Sequence, residues 1–139
     1  MGRLIGVDHG TRRVGVAVGD SETGMAFPRP AVLAGDGALD AILELARDES
    51  AERVVVGLPL NMDGSEGRQA GLARAFGARL QARGMEVAYC DERLTSWQAS
   101  ERRAQAGQRQ IGADSIDSAA AALILEQYFA DHRRHPEEP

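Results

Sequence analysis

The sequence predicts an α/β fold, with a mixed five-stranded sheet whose N-terminal strands are antiparallel and whose faces are flanked by helices. Two observations lead to this prediction. First, two apolar runs rich in β-branched residues, 4–7 and 14–18, are separated by the turn-forming residues 9–11, which is the pattern of a β-hairpin. Second, helix-like and strand-like segments alternate further along the chain, which favours parallel strands joined by crossover helices.

The length and composition are those of a single globular domain. The chain has 139 residues, of which 43% are hydrophobic, enough to bury a substantial core. We expect one domain over residues 1–131 and a charged, frayed tail over residues 132–139. No apolar run approaches the roughly 20 residues needed to span a bilayer, and the N-terminus lacks a signal-peptide pattern. We therefore expect a cytoplasmic protein with no membrane partner.

The charge balance neither requires nor forbids a nucleic-acid partner. A net charge of −5 argues against one, but all 16 basic residues are arginines, whose guanidinium groups suit bidentate contacts with phosphate. Acidic residues gathered around metal ions would also be neutralised locally. The single cysteine, Cys90, lies in an apolar run and is expected to be a buried side chain without a catalytic role.

After the hairpin, the sequence predicts an edge strand and an amphipathic helix. Met25–Leu33 is expected to be the third strand, and Pro28 and Pro30 favour the sheet edge because proline cannot donate to a strand ladder. A helix is then expected to begin at Asp36 or Gly37. Its apolar face is formed by four residues at helical spacing: Leu39, Ile42, Leu43 and Ala46.

The middle of the chain predicts a buried strand followed by a long helix. Residues 53–57 have a wholly apolar interior, which is typical of a strand covered on both faces. After a loop at 58–64, Ser65 is expected to cap a helix that has Glu66 in its first turn and ends at Gly84. Four residues of this helix are expected to face inward: Leu72, Ala73, Phe76 and Leu80.

The last third of the chain predicts one more strand and two helices. Residues 86–90 form the fifth strand. A short helix is expected over residues 95–104, followed by the most loop-like segment of the interior at 107–112. Residues 115–129 are expected to close the fold as an alanine-rich helix.

Acidic residues occur at three places where a carboxylate needs compensation. Asp8 closes the first apolar strand, and one of the consecutive residues Asp91 and Glu92 closes the last. Because consecutive strand residues face opposite sides of the pleat, only one of these two can share a site with Asp8, and the spacing leaves the choice open. Asp117 projects with the core-facing residues of the closing helix. Asp114 lies about one turn earlier on nearly the same side.

Each of these acids also has a simpler role available to it. Asp8 could cap the hairpin turn, Asp117 could interact with the dipole of a helix N-terminus, and the acid after the last strand could be solvated. Taken together, however, oxygen ligands from three separate elements, with no His or Cys among them, suit Mg²⁺ or Mn²⁺ rather than Zn²⁺. Two such ions about 4 Å apart would stabilise the attacking water and the leaving oxygen of a phosphodiester.

Four blocks of the sequence resemble the YqgF/RuvX family, and they occur in the family's order. They read IGVDHGTRRVGVA at residues 5–17, VVGLPLNMDG at 55–64, DERLTS at 91–96, and DSAAA followed by IL between 117 and 125. The resemblance covers nearly the whole chain. It implies a ribonuclease H-like fold related to Holliday-junction resolvases, and a nuclease that matures the 5′ end of the small-subunit ribosomal RNA precursor.

By position, the resemblance assigns the family's acidic triad to Asp8, Glu92 and Asp117. These residues are then both catalytic and ligands of a two-metal site for Mg²⁺ or Mn²⁺. It is the resemblance that favours Glu92 over Asp91. Asp114 is a further candidate metal ligand, because related resolvases can place an additional site residue three positions before the last acid.

Substrate contacts are expected mainly from arginines. The candidates for holding flanking phosphates or lining the substrate groove are Arg12, Arg13, Asn61, Arg93, Arg102 and Arg109. Two positions depart from the family pattern. His9 stands where the family often has proline, and a neutral turn residue is its favoured role. Residues 104–112 contain fewer basic residues than is common in the family.

The sequence therefore predicts a metal-dependent endonuclease or exonuclease that acts on structured nucleic acid. The expected substrate is precursor ribosomal RNA, a four-way DNA junction, or both, bound by a monomer or a homodimer. One alternative is an inert nucleic-acid-binding module, against which the intact acid set argues. The other is an ATP-binding protein, since residues 8–16 also resemble the phosphate-binding hairpin of the actin and sugar-kinase superfamily. Those proteins clamp nucleotide between two such domains, whereas this chain provides one.

Overall fold

The computed structural model describes residues 2–92 and 113–134; for 113–117, 133 and 134 it describes the backbone only. Within these ranges the chain forms five strands and three helices in the predicted order. They are β1 (Arg3–His9), β2 (Arg13–Asp20), β3 (Met25–Leu33), α1 (Asp36–Asp48), β4 (Arg53–Leu58), α2 (Arg68–Ala82), β5 (Glu86–Asp91) and α3 (Ala113–Arg134). The expected helix at 95–104 and loop at 107–112 lie outside the described residues. None of the described helices is long and apolar enough to cross a membrane.

The five strands form one mixed sheet in the order β3-β2-β1-β4-β5. β1, β2 and β3 are successively antiparallel, whereas β4 pairs in parallel with both β1 and β5. The prediction of a five-stranded mixed sheet is therefore confirmed. β3 lies at one edge, as Pro28 and Pro30 indicate, because a residue without an N–H group is tolerated where no further strand has to be paired.

The two faces of the sheet hold separate cores. The face covered by α1 and α2 carries branched residues from the three central strands, among them Ile5, Val7, Val16, Val54 and Val56. The face covered by α3 carries mostly smaller ones, among them Ala17, Val55 and Cys90. Side chains alternate between the faces along every strand, so each position along a strand is committed to one core.

The α3 face is narrow because glycines line it. A Cβ atom built on Gly6 would lie 2.7 Å from the carbonyl oxygen of Ala121, and one built on Gly19 would lie 2.9 Å from a ring carbon of Phe129. α3 thus approaches the backbone of the sheet more closely than a side chain at these positions would permit. This close approach holds the middle of α3, from Ala121 to Phe129, against the strands.

The N-terminus of α2 differs from the prediction. The helix begins at Arg68 with Gly67 as its N-cap, rather than at Ser65. Ser65 belongs to the preceding loop, where its backbone N–H and its hydroxyl both donate to Asp63 Oδ1, at 2.9 and 2.6 Å. A serine side chain can form hydrogen bonds either as a helix cap or within a loop, and Ser65 forms them within the loop.

The buried faces of the helices otherwise follow the predicted periodicity, with one error. Ala73, Phe76 and Leu80 of α2 are buried as expected, but Leu72 is 38% exposed. Adjacent helical residues are about 100° apart, so Leu72 falls at the margin of an arc centred near Ala73 and Gly77. Leu39, Ile42 and Ala46 of α1 are buried, and Leu43 is partly buried.

α3 is longer than predicted at both ends. It begins at Ala113 rather than at residue 115, and it continues to Arg134 rather than ending at 129. The first residues of the expected tail are therefore helical. His132 belongs to this extension, with its ring stacked 3.9 Å from that of Tyr128 and its Nδ1 2.9 Å from the Tyr128 carbonyl oxygen.

Candidate active site

Asp8 lies near the carboxyl end of β1, on the face covered by α3. Leu4 belongs to the core under α3, and Gly6 contacts the backbone of that helix, so strand alternation places Asp8 on the same face. Asp8 is half-buried and lies opposite Gly15 of β2. β1 is the middle strand of the sheet: it pairs with β2 through Asp8 itself and with β4 up to Val7, the residue before it.

Glu92 follows β5, and its side chain lies against Gly57 of β4. A Cβ atom built on Gly57 would lie 2.8 Å from Glu92 Cγ, 2.9 Å from the Glu92 carboxyl carbon, and 2.5 Å from Ile124 Cδ1 of α3. The side chain of Glu92 therefore occupies the space that a larger residue at position 57 would fill. This contact also places Glu92 on the α3 face.

The pleat of the sheet separates Glu92 from its neighbour Asp91. Asp91 pairs with Leu58, whose side chain belongs to the core under α1 and α2. Residues paired across a ladder point to the same face, so Asp91 faces away from α3. The geometry thus favours Glu92 over Asp91 as the neighbour of Asp8, a choice that the spacing in the sequence left open.

Asp8 and Glu92 lie on either side of Gly57 on the α3 face. Val7 of β1 lies opposite Val56 of β4 in a parallel ladder, so the next positions along the two strands are Asp8 and Gly57. The two acids consequently flank one glycine on one face, where the carboxyl ends of β1, β4 and β5 share an edge of the sheet. Of the predicted site residues, these two therefore lie on the same face, on neighbouring sides of Gly57.

Asp117 lies in the second turn of α3, and Asp114 lies one turn before it. The residue after Asp117, Ser118, is fully buried, and its Oγ accepts a hydrogen bond from the backbone N–H of Val16 at 3.1 Å. The backbone that carries Asp117 therefore adjoins the hairpin that carries Asp8. The side chains of Asp114 and Asp117 are outside the described residues, and no three of the described His, Cys, Asp and Glu side chains form a metal-binding group.

The donor set suits a hard divalent cation. Carboxylate oxygens are the protein ligands that Mg²⁺ and Mn²⁺ prefer, and the space over Gly57 admits the carboxyl group of Glu92 on the face that carries Asp8. The surrounding charge is also negative. Burial, together with the carboxylates of Asp131, Asp91 and Glu92, raises the pKa of the Cys90 thiol to about 12. Cys90 is buried as predicted.

His9 points to the opposite face from Asp8. Its ring lies 4.9 Å from that of Phe76 in α2. Burial lowers the pKa of His9 from its ordinary value of 6.5, against the opposing effect of the Asp8 carboxylate, so the ring is neutral at pH 7. Its buried Nδ1 makes no hydrogen bond with the part of the chain that the structure describes. These features support a neutral role for His9, but it is the last residue of β1, paired with Val14, rather than the turn residue that was expected.

The other predicted substrate contacts are only partly placed. Arg12 is exposed in the turn between β1 and β2, and Arg13 is half-buried at the start of β2. Asn61 lies in the loop after β4, where its side-chain amide donates to Ser65 Oγ at 2.9 Å. Asn61 therefore braces this loop. Three further arginines lie outside the described residues: Arg93, Arg102 and Arg109.

Two contributors to the site, Gly57 and Ser118, were missed by the sequence predictions. Gly57 was predicted to end a buried strand. Its contribution to the site depends on which neighbouring side chain lies over it, and the sequence alone does not show this. Ser118 had a signal that could have been used, because it lies three and seven residues before Ala121 and Leu125, within the apolar arc of α3. A hydroxyl in such an arc needs a hydrogen-bond partner.

The fold defines the class of protein. *Thermus thermophilus* RuvC in complex with a Holliday junction substrate has a TM-score of 0.60 with this chain at 16% identity, and the match covers 96% of this chain and 97% of that one. The yeast mitochondrial Holliday junction resolvase Ydc2 has a TM-score of 0.51 at 9% identity, covering 96% and 81% of the two chains. The chain therefore has the ribonuclease H-like fold of the RuvC-type resolvases.

Sequence comparison narrows the class to a family. The model of the RuvX family, described as Holliday junction resolvase, matches residues 2–131. A protein of *Escherichia coli* O157:H7 (strain EC4115 / EHEC) named "Putative pre-16S rRNA nuclease" is 45% identical over 132 residues, 92% of this chain and 96% of that protein. The protein of the same name from *E. coli* (strain K12 / DH10B) is 44% identical with the same coverage. The chain belongs to the RuvX family, as its four sequence blocks predicted.

Proposed function

We propose that this protein hydrolyses phosphodiester bonds of structured nucleic acid at a site formed by Asp8, Glu92 and Asp117. Membership of the RuvX family defines the class of activity as that of a nuclease. The observation that supports this particular site is the position of Glu92 over Gly57, on the face and beside the strand end that carry Asp8. Asp117 would join them from the helix that covers this face.

The three acids would hold divalent metal ions, either Mg²⁺ or Mn²⁺, in a two-metal site. When bound, such ions stabilise the charge that develops on the attacking and leaving oxygens of the phosphodiester. Asp8, whose strand is paired on both sides, would hold the ions together with Glu92 and Asp117. Asp114 is a further candidate ligand, one turn before Asp117 on the same helix.

The chain's own contribution to substrate binding comes from its basic residues. Arg12 and Arg13 lie in and next to the turn that follows Asp8, where they would hold phosphates beside the scissile bond. The remaining contacts are proposed for Asn61 and the three arginines beyond the described residues: Arg93, Arg102 and Arg109. Arginine suits this task because its planar guanidinium group contacts a phosphate through two N–H donors.

We propose the precursor of small-subunit ribosomal RNA as the principal substrate. Support comes from the relatives named for that activity, which are 44–45% identical over 92% of the chain. A four-way DNA junction is the second candidate, because the family model is described as a Holliday junction resolvase. A homodimer would suit symmetric cleavage of a junction, whereas a monomer suffices for an RNA end.

The proposal is tested by cleavage of both substrates with neighbouring acids exchanged in turn. Labelled fragments of precursor ribosomal RNA and a four-way DNA junction are incubated with Mg²⁺ or Mn²⁺. We expect Asp8→Asn, Glu92→Gln and Asp117→Asn each to lower kcat by at least about 100-fold, because each removes a ligand charge at the reacting centre. Asp91→Asn is the matched control, since Asp91 is adjacent to Glu92 but faces the other core.

The outcomes separate the activity from the site. Absence of cleavage by the folded parent with either ion contradicts the nuclease proposal and favours an inert binding module. Equal losses of activity in Asp91→Asn and Glu92→Gln contradict the proposed site. They do not contradict the proposal that the parent protein is a nuclease. The ratio of cleavage rates on the two substrates identifies the preferred class of nucleic acid.

A further inference from the structure

Ser118 is buried in an otherwise apolar interface. Its side chain is fully inaccessible, and among the side chains whose burial the structure describes it is the one buried polar group. Its Oγ accepts the hydrogen bond from Val16 N–H at 3.1 Å, which joins positions 102 residues apart in the chain. A buried hydroxyl with a directional partner fixes a distance and an orientation, which apolar contacts do less sharply.

The partner of Ser118 lies at an irregular point of the sheet. Between β2 and β3 the register shifts: Val14 lies opposite Val32, but Val16 lies opposite Arg29, so β3 has one extra residue there. Such irregularities disturb the strand ladder and leave backbone groups that need other partners. Ser118 satisfies the N–H of Val16 at this point.

This hydrogen bond joins the residue after Asp117 to the cross-strand partner of the residue before Asp8. Val16 pairs with Val7, the residue before Asp8. Ser118 directly follows Asp117 in α3. The Ser118–Val16 bond is therefore a short link between the helix that carries one acid and the hairpin that carries the other.

We propose that Ser118 is a positioning residue for Asp117. Its hydrogen bond to β2 fixes the position of Asp117 relative to Asp8. The inference rests on the proposed function, since it takes Asp117 as a metal ligand. The glycine-lined face of the sheet strengthens it. Gly6 and Gly19 offer α3 a surface without protruding side chains, so shape alone constrains the helix weakly against sliding or turning. The hydrogen bond of Ser118 supplies that constraint at the acid-bearing end.

The test measures metal affinity as well as cleavage. Mn²⁺ binding is followed by titration calorimetry for the full-length parent, Ser118→Ala, Ser118→Thr and Tyr128→Phe, each at a temperature where circular dichroism shows it folded. Tyr128→Phe is the matched control because it also removes one hydrogen bond from α3, that from Arg53 Nη1 at 2.6 Å, but more than two turns further along. Asp8→Asn serves as the reference for a lost ligand.

We expect Ser118→Ala to raise the Kd for Mn²⁺ and to lower kcat by about 10- to 100-fold each, as is usual when a residue that orients a metal ligand is removed. The KM for nucleic acid should stay within about twofold of the parent, because no substrate contact is lost. Ser118→Thr keeps the hydroxyl and should recover most of both losses. Tyr128→Phe should lower Tm without changing Kd or kcat.

Each outcome bears on one proposal or the other. If Ser118→Ala resembles Tyr128→Phe in Kd and kcat, or if the threonine variant is no better than the alanine variant, Ser118 has no positioning role. If Asp8→Asn binds Mn²⁺ as tightly as the parent, the metal site itself is wrong. Should Ser118→Ala not fold, Ser118→Cys keeps the volume with a weak acceptor, and equal Kd values for Ser118→Cys and Ser118→Thr overturn the inference.

Discussion

At the scale of single residues, Gly57 shows how a missing side chain shapes the candidate site. The space beside its Cα is occupied by the carboxyl end of Glu92 from one side and by Ile124 from the other. The side chains of Glu92 and Ile124 thus occupy space that the Cβ atom of any other residue at position 57 would need. Interiors are packed densely enough that such a volume cannot simply be expanded.

Gly57→Ala should therefore impair both stability and cleavage. The new Cβ would lie 2.5 Å from Ile124 Cδ1 and 2.8 Å from Glu92 Cγ, which forces both to move. We expect a loss of about 1–3 kcal/mol in the free energy of unfolding, as is typical of overpacking, and a fall in kcat as Glu92 is displaced. Urea unfolding and the cleavage assay measure the two effects.

Gly71→Ala is the matched control for this prediction. Gly71 lies within α2, and a Cβ built on it meets nothing within 4 Å. Alanine there should raise the free energy of unfolding by about 0.5–1 kcal/mol, because it reduces the conformational freedom of the unfolded chain. A Gly57→Ala protein as stable and as active as the parent would show that Glu92 does not depend on this space.

Residue types alone made Asp8 and Asp117 candidates, the family resemblance added Glu92, and neither indicated the residues that pack around them. Asp8 and Asp117 stood out because a carboxylate in an apolar pattern needs a partner. Gly57 and Ser118 did not, since glycine and serine are common in any chain and their meaning comes from what lies opposite. Likewise, the pleat that separates Asp91 from Glu92 follows from the pairing of Asp91 with Leu58, which becomes known only when the strands are placed.

At the scale of elements, an ion-pair cluster ties the end of α1 to two strands. Glu49, the C-cap of α1, accepts hydrogen bonds from Arg3 Nη1 of β1 and Arg29 Nη2 of β3, both at 2.5 Å. Burial opposes the ionisation of Glu49, but its hydrogen bonds and charge interactions with Arg29 and Arg3 outweigh this effect and lower its pKa from 4.5. The cluster fastens the edge strand β3 to the helix that follows it.

This cluster predicts a pH-dependent loss of stability in Glu49→Gln. A carboxylate with a lowered pKa in the folded state stabilises the protein above its unfolded pKa, and the stabilisation disappears as the pH falls through the folded value. We expect Glu49→Gln to lose about 1 kcal/mol at pH 7, since both arginines are substantially exposed and screened by water. The difference from the parent should shrink towards zero below pH 4.

Urea unfolding at pH 7 and pH 3 measures this difference. Glu66→Gln is a suitable control, because Glu66 also accepts hydrogen bonds from an arginine, Arg74, but on the open surface next to α2. A loss in Glu49→Gln that persists unchanged at pH 3 would mean that shape rather than charge holds the cluster.

Helices and strands were predicted correctly where the apolar spacing was regular or where a residue such as proline indicated the position in the sheet. The prolines of β3 identified the edge strand, and the apolar spacing of α1 identified its buried face. The start of α2 was wrong because Ser65 could serve a cap or a loop, and its bonds to Asp63 decide for the loop. The ends of α3 were underestimated because its alanine-rich centre gave the clear signal while its polar ends did not.

At the scale of the whole molecule, the chain divides its small and branched residues between the two faces of one sheet. The face with branched residues forms an ordinary core under α1 and α2. The alternation of these apolar residues along the strands made the fold predictable from sequence. The small-residue face lets α3 lie close, which brings β1, β5 and α3 together at one edge. The fold thus places Asp8, Glu92 and the backbone of Asp117 on one side of the sheet.

Because the proposed ligands come from three separate elements, binding of a divalent ion should stabilise the whole fold. An ion that binds the folded chain alone adds about 2.7 kcal/mol to the free energy of unfolding at a free concentration 100 times its Kd. We therefore expect Mn²⁺ to raise the Tm of the parent relative to EDTA, since unfolding would separate β1, the end of β5 and α3. Calorimetric or circular-dichroism melting curves in the two solutions measure the shift.

Variants decide whether this stabilisation belongs to the proposed site. Asp8→Asn and Glu92→Gln should lose the Mn²⁺-dependent rise in Tm, while Asp91→Asn, whose carboxylate faces the opposite core, should keep it. A rise that survives in Asp8→Asn would place the bound ion elsewhere on this acidic protein. A rise lost in Glu92→Gln but kept in Asp91→Asn would tie the cation to the α3 face, because these two residues differ in the side of the sheet that they face.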